Sequence, residues 1–212
     1  MSDHKSPRDK RAYHHGNLRE ALIEAALKLI TEHGSDGLTL SEAARMAGVS
    51  PAAPYRHFKD RNSLMSAVAE QGFAAFADIL EKAGQGHANA PMKALMTIGE
   101  AYLDFARKAP GHYAAMFEAG IAHGSTPDLA RDSARAFNVL RDAAADIHAI
   151  LPPDRRAPAL MIALHIWSMT HGIASLFLRG DTARRNLPVK PEELLESGML
   201  IYFDGLGYKP RS

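Results

Sequence analysis

Twelve residues, SPAAPYRHFKDR from Ser50 to Arg61, combine small side chains with a high density of hydrogen-bond donors and cations. Ala52 and Ala53 are too small to hold this segment away from a base pair, and their methyl groups can contact the methyl of thymine. The donors that follow could bond to base edges or phosphates. This pattern indicates a segment that lies in the major groove of DNA. The donors and cations are Tyr55, Arg56, His57, Lys59 and Arg61.

Several of these side chains also have a purely structural interpretation. Tyr55 could pack its ring on Leu40 or Ala44 and expose only its hydroxyl group. His57 could support the turn before the next helix, and Arg56 could be a solvated surface cation. The residue types alone leave these alternatives open.

The residues upstream place this segment after a short helix and a turn. In LTLSEAARMAG, Thr39 can accept a backbone hydrogen bond while Glu42 reaches back to the Thr39 amide, as in a capping box. Gly48 suits the left-handed turn that ends a helix. A second short helix is predicted to begin at about Pro51, because proline is tolerated in a first turn. Two short helices around a glycine turn form a helix-turn-helix pattern.

Helical periodicity continues along the chain, without the alternating pattern of a strand. The first helix includes Leu18 to Ile30 and ends before Gly34, and Asp60 caps a longer fourth helix. We predict an all-α fold, with an N-terminal three-helix helix-turn-helix domain joined through the long fourth helix to a C-terminal helical bundle. The buried stripe of the fourth helix is predicted at Leu64, Val68, Gly72, Ala75, Phe76 and Ile79. Further helices are predicted over residues 91–109, 110–120, 125–151, 157–178 and 191–206.

The helices and charges divide the chain into three predicted parts. Residues 1–12 form a flexible basic tail, residues 13–64 the DNA-binding domain, and residues 65–212 a domain for effector binding and dimerisation. Four cations and two carboxylates in the tail leave a small positive surplus, which is weak support for an arm that reads the minor groove.

Composition limits the possible functions. The chain has 212 residues, of which 46% are hydrophobic, and a net charge of +1, which argues against purely electrostatic DNA binding. The absence of cysteine excludes disulfides and fits a reducing cytosol. The polar N-terminus lacks the apolar region of a signal peptide. The apolar run from Leu160 to Met169 is shorter than the roughly 20 residues of a membrane span. We therefore expect a cytoplasmic protein without a membrane partner.

The histidines do not form a familiar metal-binding motif. The 11 histidines include no HExxH or H-x-x-x-H pair, and His165 and His171 point in different directions from one helix. Neither a nucleophile–base pair nor a phosphate-binding loop is evident. We expect no metal, no cofactor and no enzymatic activity.

The stretch GLTLSEAARMAGVSPAAPYRHFKDRNSLM resembles the DNA-binding region of the tetracycline-repressor (TetR) family of regulators, and the likeness extends upstream to Tyr13. The resemblance implies that Arg61 binds a phosphate at the start of the fourth helix. It also implies that Thr39 and Ser41 lie where the second helix meets the DNA backbone or the DNA groove. The residues that it places on the recognition helix are Pro51, Ala52, Ala53, Tyr55 and His57.

Pro54 departs from the pattern of that family, which usually has an aliphatic residue at this position. Proline removes a backbone donor and disfavours helical geometry at Ala53. We therefore expect the recognition helix to begin late or to have an irregular first turn.

The C-terminal part resembles a TetR subgroup marked by the motif W-x-x-x-H-G, here Trp167, His171 and Gly172. The resemblance implies a homodimer in which the last two helices of each chain form a four-helix bundle. Small and apolar residues on both helices suit that packing. The predicted interface residues are Leu160, Leu164, Trp167, Gly172, Ser175, Leu194, Gly198 and Ile201.

An effector cavity is predicted among the middle helices, where apolar walls combine with a few polar groups. The alternative that the sequence favours for each single residue is ordinary core, and for Trp167 with His171 it is a packed pair in the core or at the dimer interface. The sequence favours a repressor that a small-molecule effector releases from a palindromic double-stranded DNA operator. A non-switching scaffold, a non-specific DNA binder and an enzyme are the alternatives. The candidate effector residues are Tyr102, Phe105, His112, Tyr113, Met116, Trp167 and His171.

Overall fold

The computed structural model describes residues 18–87, 90–178 and 188–209. These residues form eight α-helices and three short 3-10 turns, and no strand occurs among them. The predicted all-α class is confirmed. The predicted basic tail at 1–12, the first residues of the predicted DNA-binding domain and most of the predicted turn at 179–190 lie outside the described residues.

The first two helices pack on each other around a tight turn. Helix α1 spans Leu18–His33 and α2 spans Leu40–Met46, with a 3-10 turn at Ser35–Gly37 between them. Gly34 ends α1 with a φ of 74°, a conformation that glycine adopts without strain. Apolar side chains of α1 and the alanines at the centre of α2 are buried, so the two helices share one core.

Helix α3 spans Arg61–Gly84 and so includes the first residues of the stretch from Glu81 to Pro91, which its glycines predict to be a loop. Leu64, Val68, Gly72 and Phe76 are buried as predicted, but Ala75 is exposed and Ile79 is 41% exposed. The predicted stripe is therefore wrong at Ala75 and Ile79. The neighbours decide the buried face there, since the ring of Phe76 packs edge-on against Tyr102, 5.0 Å away.

Five helices follow α3 among the described residues, and all of them except the second, a short helix, form a bundle. Helix α4 spans Pro91–Lys108, α5 spans Pro110–Phe117 and α6 spans Pro127–Ile150. After a 3-10 turn at Pro153–Arg155, α7 spans Ala159–Leu178 and α8 spans Pro191–Gly205. Helix α7 packs against α4, α6 and α8, and α4 also packs against α6 and α8.

The chain folds into two compact units that do not follow its linear order. Among the described residues, one unit comprises 18–72 and 111–126, and the other comprises 73–87, 90–110, 127–178 and 188–209. Helix α3 continues from the first unit into the second. Helix α5 belongs to the first unit, where a Cβ added to Gly72 would lie 3.2 Å from Cβ of His112. Burial lowers the pKa of His112 below its ordinary value of 6.5.

Helix α7 is longer than the apolar run from which the sequence analysis argued. Its 20 residues are long and apolar enough to cross a membrane, and one third of the most apolar window is buried within the chain. A single helix of this kind is weak evidence for a membrane span, because the core helices of soluble bundles have the same composition. Contact with another surface would nevertheless stabilise the protein, because it would remove the exposed apolar side chains of this helix from water.

Gly111 makes close contacts in the first unit and gives a test of the packing of α5 on α1. A Cβ at this position would lie 2.9 Å from Cδ1 of Leu27 and 3.0 Å from its carbonyl oxygen. We expect Gly111→Ala to lower the free energy of unfolding by about 1–3 kcal/mol, because the backbone of α1 must shift. Urea denaturation measures this, with Gly205→Ala as the control, because a Cβ there meets nothing within 4 Å. Equal stability of both variants would contradict the described packing.

Candidate DNA-binding surface and ligand site

The recognition segment folds as a 3-10 turn at Pro54–Arg56, where the sequence analysis predicts a short helix. Ala53 has helical angles, φ −64° and ψ −40°, so the expectation that Pro54 displaces it from helical geometry is wrong. Its carbonyl accepts from the Arg56 amide at 3.3 Å, and its amide donates to the Ser50 carbonyl at 3.0 Å. Proline fits the first position of this turn because no amide donor is needed there.

Pro54 itself takes the packing role that an aliphatic residue has in similar sequences. Its side chain is buried, and its carbonyl accepts from the amides of His57 and Phe58, both at 2.9 Å. Phe58 is only 3% exposed, and the Arg19 guanidinium lies 5.7 Å from its ring centroid. Phe58 is not among the residues predicted from the sequence. An apolar ring among cations, four residues after Pro54, nevertheless indicates a side chain that packs this segment onto the core.

The predicted DNA-contacting side chains are largely exposed together on the first unit. Tyr55 is 62% exposed, so its ring is not packed in the core as the structural alternative required. Ala53 and Arg61 are half-buried. The exposed members of the predicted set are Thr39, Ser41, Pro51, Ala52, Tyr55, Arg56, His57 and Lys59.

The start of α2 confirms half of the predicted capping box. Thr39 Oγ1 accepts from the Glu42 amide at 3.1 Å. The Glu42 carboxylate does not return to the Thr39 amide but binds Arg45, whose Nε and Nη2 lie 2.9 and 2.8 Å from Glu42 Oε2. An exposed pair three residues apart on a helix contributes only about 0.2–0.5 kcal/mol. The pair therefore holds Arg45 weakly.

Arg61 is engaged with the protein itself. Its Nε donates to the carbonyl of Leu38 at 3.0 Å, and its Nη2 donates to that of Ser35 at 2.6 Å. Hydrogen bonds that involve a charged group contribute about 1.5–3 kcal/mol each. The guanidinium thus joins the start of α3 to the turn before α2. This geometry favours a positioning role over the phosphate contact that the sequence analysis predicted.

The cap of α3 is the one predicted from the sequence. Asp60 Oδ1 accepts from the Ser63 amide at 2.8 Å, and Ser63 Oγ accepts from the Asp60 amide at 3.1 Å. Reciprocal bonds of this kind fix the first turn of a helix. The cap therefore fixes the orientation of Arg61, the first residue of α3.

The candidate effector residues divide between the two units. In the second unit, Tyr102 and His171 are linked by a hydrogen bond of 2.8 Å between Oη and Nδ1. Trp167 lies against His171, with ring centroids 6.1 Å apart, and against Phe137 at 6.0 Å. Phe105, in the same unit, is buried. The candidates in the first unit are His112, Tyr113 and Met116.

An open cavity of about 230 Å³ lies between α4, α7 and the start of α8. Its walls are apolar except for Arg107, which donates to Asp104 at 2.7 Å and to Glu192 at 3.0 Å. Bonds from Lys108 and Arg107 lower the pKa of Asp104. The sequence analysis missed this cavity. Its lining residues are Leu103, Ala106, Arg107, Ala174, Phe177, Leu178 and Pro191.

Helices α7 and α8 pack together, and both carry exposed apolar residues, here called the apolar face of α7 and α8. A Cβ at Gly172 would meet nothing within 4 Å, so this glycine lies open to an approaching helix. Gly198 is different, because a Cβ there would lie 2.6 Å from Sδ of Met169 in the same chain. Its small size thus accommodates Met169 within the chain, and its position at a dimer interface stays a prediction. Trp167 also packs within the chain. The exposed apolar residues of this face are Leu160, Met161, Leu176, Leu194, Leu200 and Ile201.

Family models match most of the chain. The model of the tetracyclin repressor-like C-terminal domain matches residues 95–201, half of the chain, and that of the bacterial regulatory proteins of the tetR family matches residues 22–68. The chain belongs to the TetR family. Members of this family are transcriptional regulators that bind DNA operators, and they are not enzymes. They are generally dimeric.

Individual relatives agree with this assignment. The regulator BetI of Rhizobium meliloti is 45% identical over 49 residues, which cover 23% of this chain and 24% of that protein. The class C tetracycline repressor of Escherichia coli is 44% identical over 52 residues, 24% of each chain. The chain thus spans about a quarter of the length of these curated relatives.

Solved structures extend the likeness to the whole chain. A protein of unknown function from Rhodococcus sp. RHA1 is 30% identical, with a TM-score of 0.73, over 96% of this chain and 100% of that one. The TetR regulator PfmR from Thermus thermophilus has a TM-score of 0.64 at 20% identity, over 90% and 99% of the two chains. The latter likeness concerns the fold alone.

Arg61 gives a test that separates positioning from phosphate binding. We expect Arg61→Ala to lower the free energy of unfolding by at least about 1.5–3 kcal/mol, the contribution of one such bond, because two carbonyls lose a charged donor. Urea denaturation measures the loss. Lys59→Ala is the matched control, since Lys59 is exposed and its removal should stay within about 0.5 kcal/mol of the parent. Unchanged stability combined with weaker DNA binding would restore the phosphate role.

Proposed function

We propose that this protein is a sequence-specific transcriptional repressor that a small-molecule effector releases from a palindromic operator. The observation that carries the proposal is the exposed set around the Pro54–Arg56 turn, in which Tyr55 presents its ring and hydroxyl group to solvent. Small residues beside it permit close approach to a base pair. Near-neutral net charge favours recognition of bases over purely electrostatic attraction.

The proposed contacts combine base reading with phosphate binding. Tyr55, Ala52 and Ala53 would face base edges, and Thr39, Ser41 and His57 would fix the protein on the backbone. Arg56 and Lys59 add exposed cations, and Pro51 begins the segment. Arg61 supports this surface from within the protein. The proposed DNA-binding domain ends at residue 64, and the proposed domain for effector binding and dimerisation begins at residue 65.

A homodimer would place two such surfaces in successive major grooves, about 34 Å apart. The exposed apolar face of α7 and α8 supports this proposal, because its leucines and Ile201 lack a cover within the described part of the chain. Leu164, Gly172 and Ser175 lie on α7 beside the exposed leucines. Burial of this face between two copies would remove it from water.

The effector would act on the second unit and change the operator affinity of the first. Tyr102 is hydrogen-bonded to His171, which belongs to the W-x-x-x-H-G motif of the proposed subgroup, and this pair supplies polar groups among aromatic side chains. The chain connects the units within α3, after Pro110 and between Thr126 and Pro127. An effector that binds more tightly to one conformation of these connections would increase the fraction of dimers in that conformation. The operator affinity of the dimer would change with it. We place the protein in the cytoplasm and expect no substrate turnover.

Selection of bound sequences from a random duplex library at physiological salt tests DNA recognition directly. A palindromic motif with half-sites about one helical turn apart is expected. Tyr55→Phe should then bind that motif about fivefold more weakly, since one hydrogen bond contributes about 1 kcal/mol, while its stability is unchanged. Tyr208→Phe is the control. No enriched motif would contradict the proposed function, and unchanged affinity of Tyr55→Phe would show that the Tyr55 hydroxyl makes no hydrogen bond to the operator.

Ile201 tests the dimer, because it is 72% exposed on the apolar face of α8. We expect Ile201→Glu to split the dimer without unfolding the protomer, since two charges would be buried in the interface. Sedimentation measures the mass and circular dichroism the fold. Ile79→Glu is the matched control, an exposed apolar residue on α3 that should leave the dimer intact. A dimeric Ile201→Glu variant would place the interface elsewhere.

A further inference from the structure

We propose that Arg45 of α2 binds a DNA phosphate, and that the Glu42 carboxylate holds its guanidinium in place until DNA displaces it. This inference rests on the proposed DNA-binding function and adds a contact to it. The sequence analysis assigned Arg45 no role and gave the phosphate contact to Arg61.

The position of Arg45 on α2 supports the proposal. Leu40, Ala43 and Ala44 bury one side of the helix, which leaves the opposite side in solvent. Ser41 and Arg45 lie four residues apart on that outer side, one helical turn from each other. In helix-turn-helix proteins the first helix crosses the DNA backbone. A cation on the outer side of this helix can therefore reach a phosphate.

The backbone beneath Arg45 is fixed at both ends of the helix. Thr39 caps the N-terminus through the Glu42 amide. At the other end, the Arg45 carbonyl accepts from the Gly48 amide at 3.2 Å, and the Val49 amide donates to the Ala44 carbonyl at 3.0 Å. Only the side chain of Arg45 has to move to exchange one anion for another. A fixed backbone limits the ordering cost of such an exchange.

The interaction with Glu42 is of the kind that a phosphate can replace. The Arg45 side chain is 72% exposed, and Nε and Nη2 both lie against the same oxygen, Glu42 Oε2. Solvent screens this pair, and the guanidinium fork can donate to two phosphate oxygens instead of one carboxylate oxygen. Arg61 is in the opposite situation, because its half-buried guanidinium would have to release the Ser35 and Leu38 carbonyls.

Salt dependence of binding to the selected motif tests the proposal. Arg45→Ala should bind about three- to tenfold more weakly near 0.1 M salt, and the slope of log K against log salt should fall by about one unit per protomer. Arg45→Lys should retain the slope, because a lysine also binds a phosphate as a point charge. Arg141→Ala, which removes an exposed arginine from α6 in the other unit, should change neither quantity.

Neutral methylphosphonate substitutions along the motif locate the contact. A methylphosphonate at a phosphate that Arg45 contacts should weaken DNA binding by the parent protein. It should leave DNA binding by Arg45→Ala unchanged. If Arg45→Ala keeps the parent's slope and its full sensitivity at every phosphate, the proposal is wrong. Failure of the proposed function gives a different result, since the parent protein would then select no motif. Circular dichroism melting verifies that each variant is folded.

Discussion

The guanidinium of Arg61 joins two segments that are far apart in sequence, and the DNA-binding surface depends on this link. It donates to the carbonyls of Ser35 and Leu38, directly before the Thr39 cap of α2. The Asp60–Ser63 cap fixes the same residue at the start of α3. The first helix of the helix-turn-helix is therefore positioned by the helix that follows the recognition turn. Any displacement of α3 at this end would move α2 with it.

The cations of the first unit fall into two groups by the strength of their partners. Arg61 is bound to main-chain carbonyls and half-buried, whereas Arg45 is paired with an exposed carboxylate. Sequence alone makes both equally good ligands for phosphate, since the residue type is the same. Burial and partner decide that the exposed one can be exchanged at low cost.

The two compact units give the effector proposal its physical content. Tyr102 and His171 form a polar contact inside the second unit, while His112 is half-buried in the first and its pKa is lowered by burial. The chain passes between the units at residues 72–73, 110–111 and 126–127, and α5 packs on α1 at Gly111. The apolar face of α7 and α8 is a separate feature, which a second copy would cover.

The sequence by itself determined the helices other than the recognition segment, the caps at Thr39 and Asp60, and the family, because these depend on local periodicity and on short motifs. The tertiary structure decided the rest. Pro54 is the buried first residue of a 3-10 turn, and Gly198 packs against Met169. The partner of Arg61 and the buried face of α3 also needed the fold. Each depends on residues distant in the chain, whose positions local propensity does not specify.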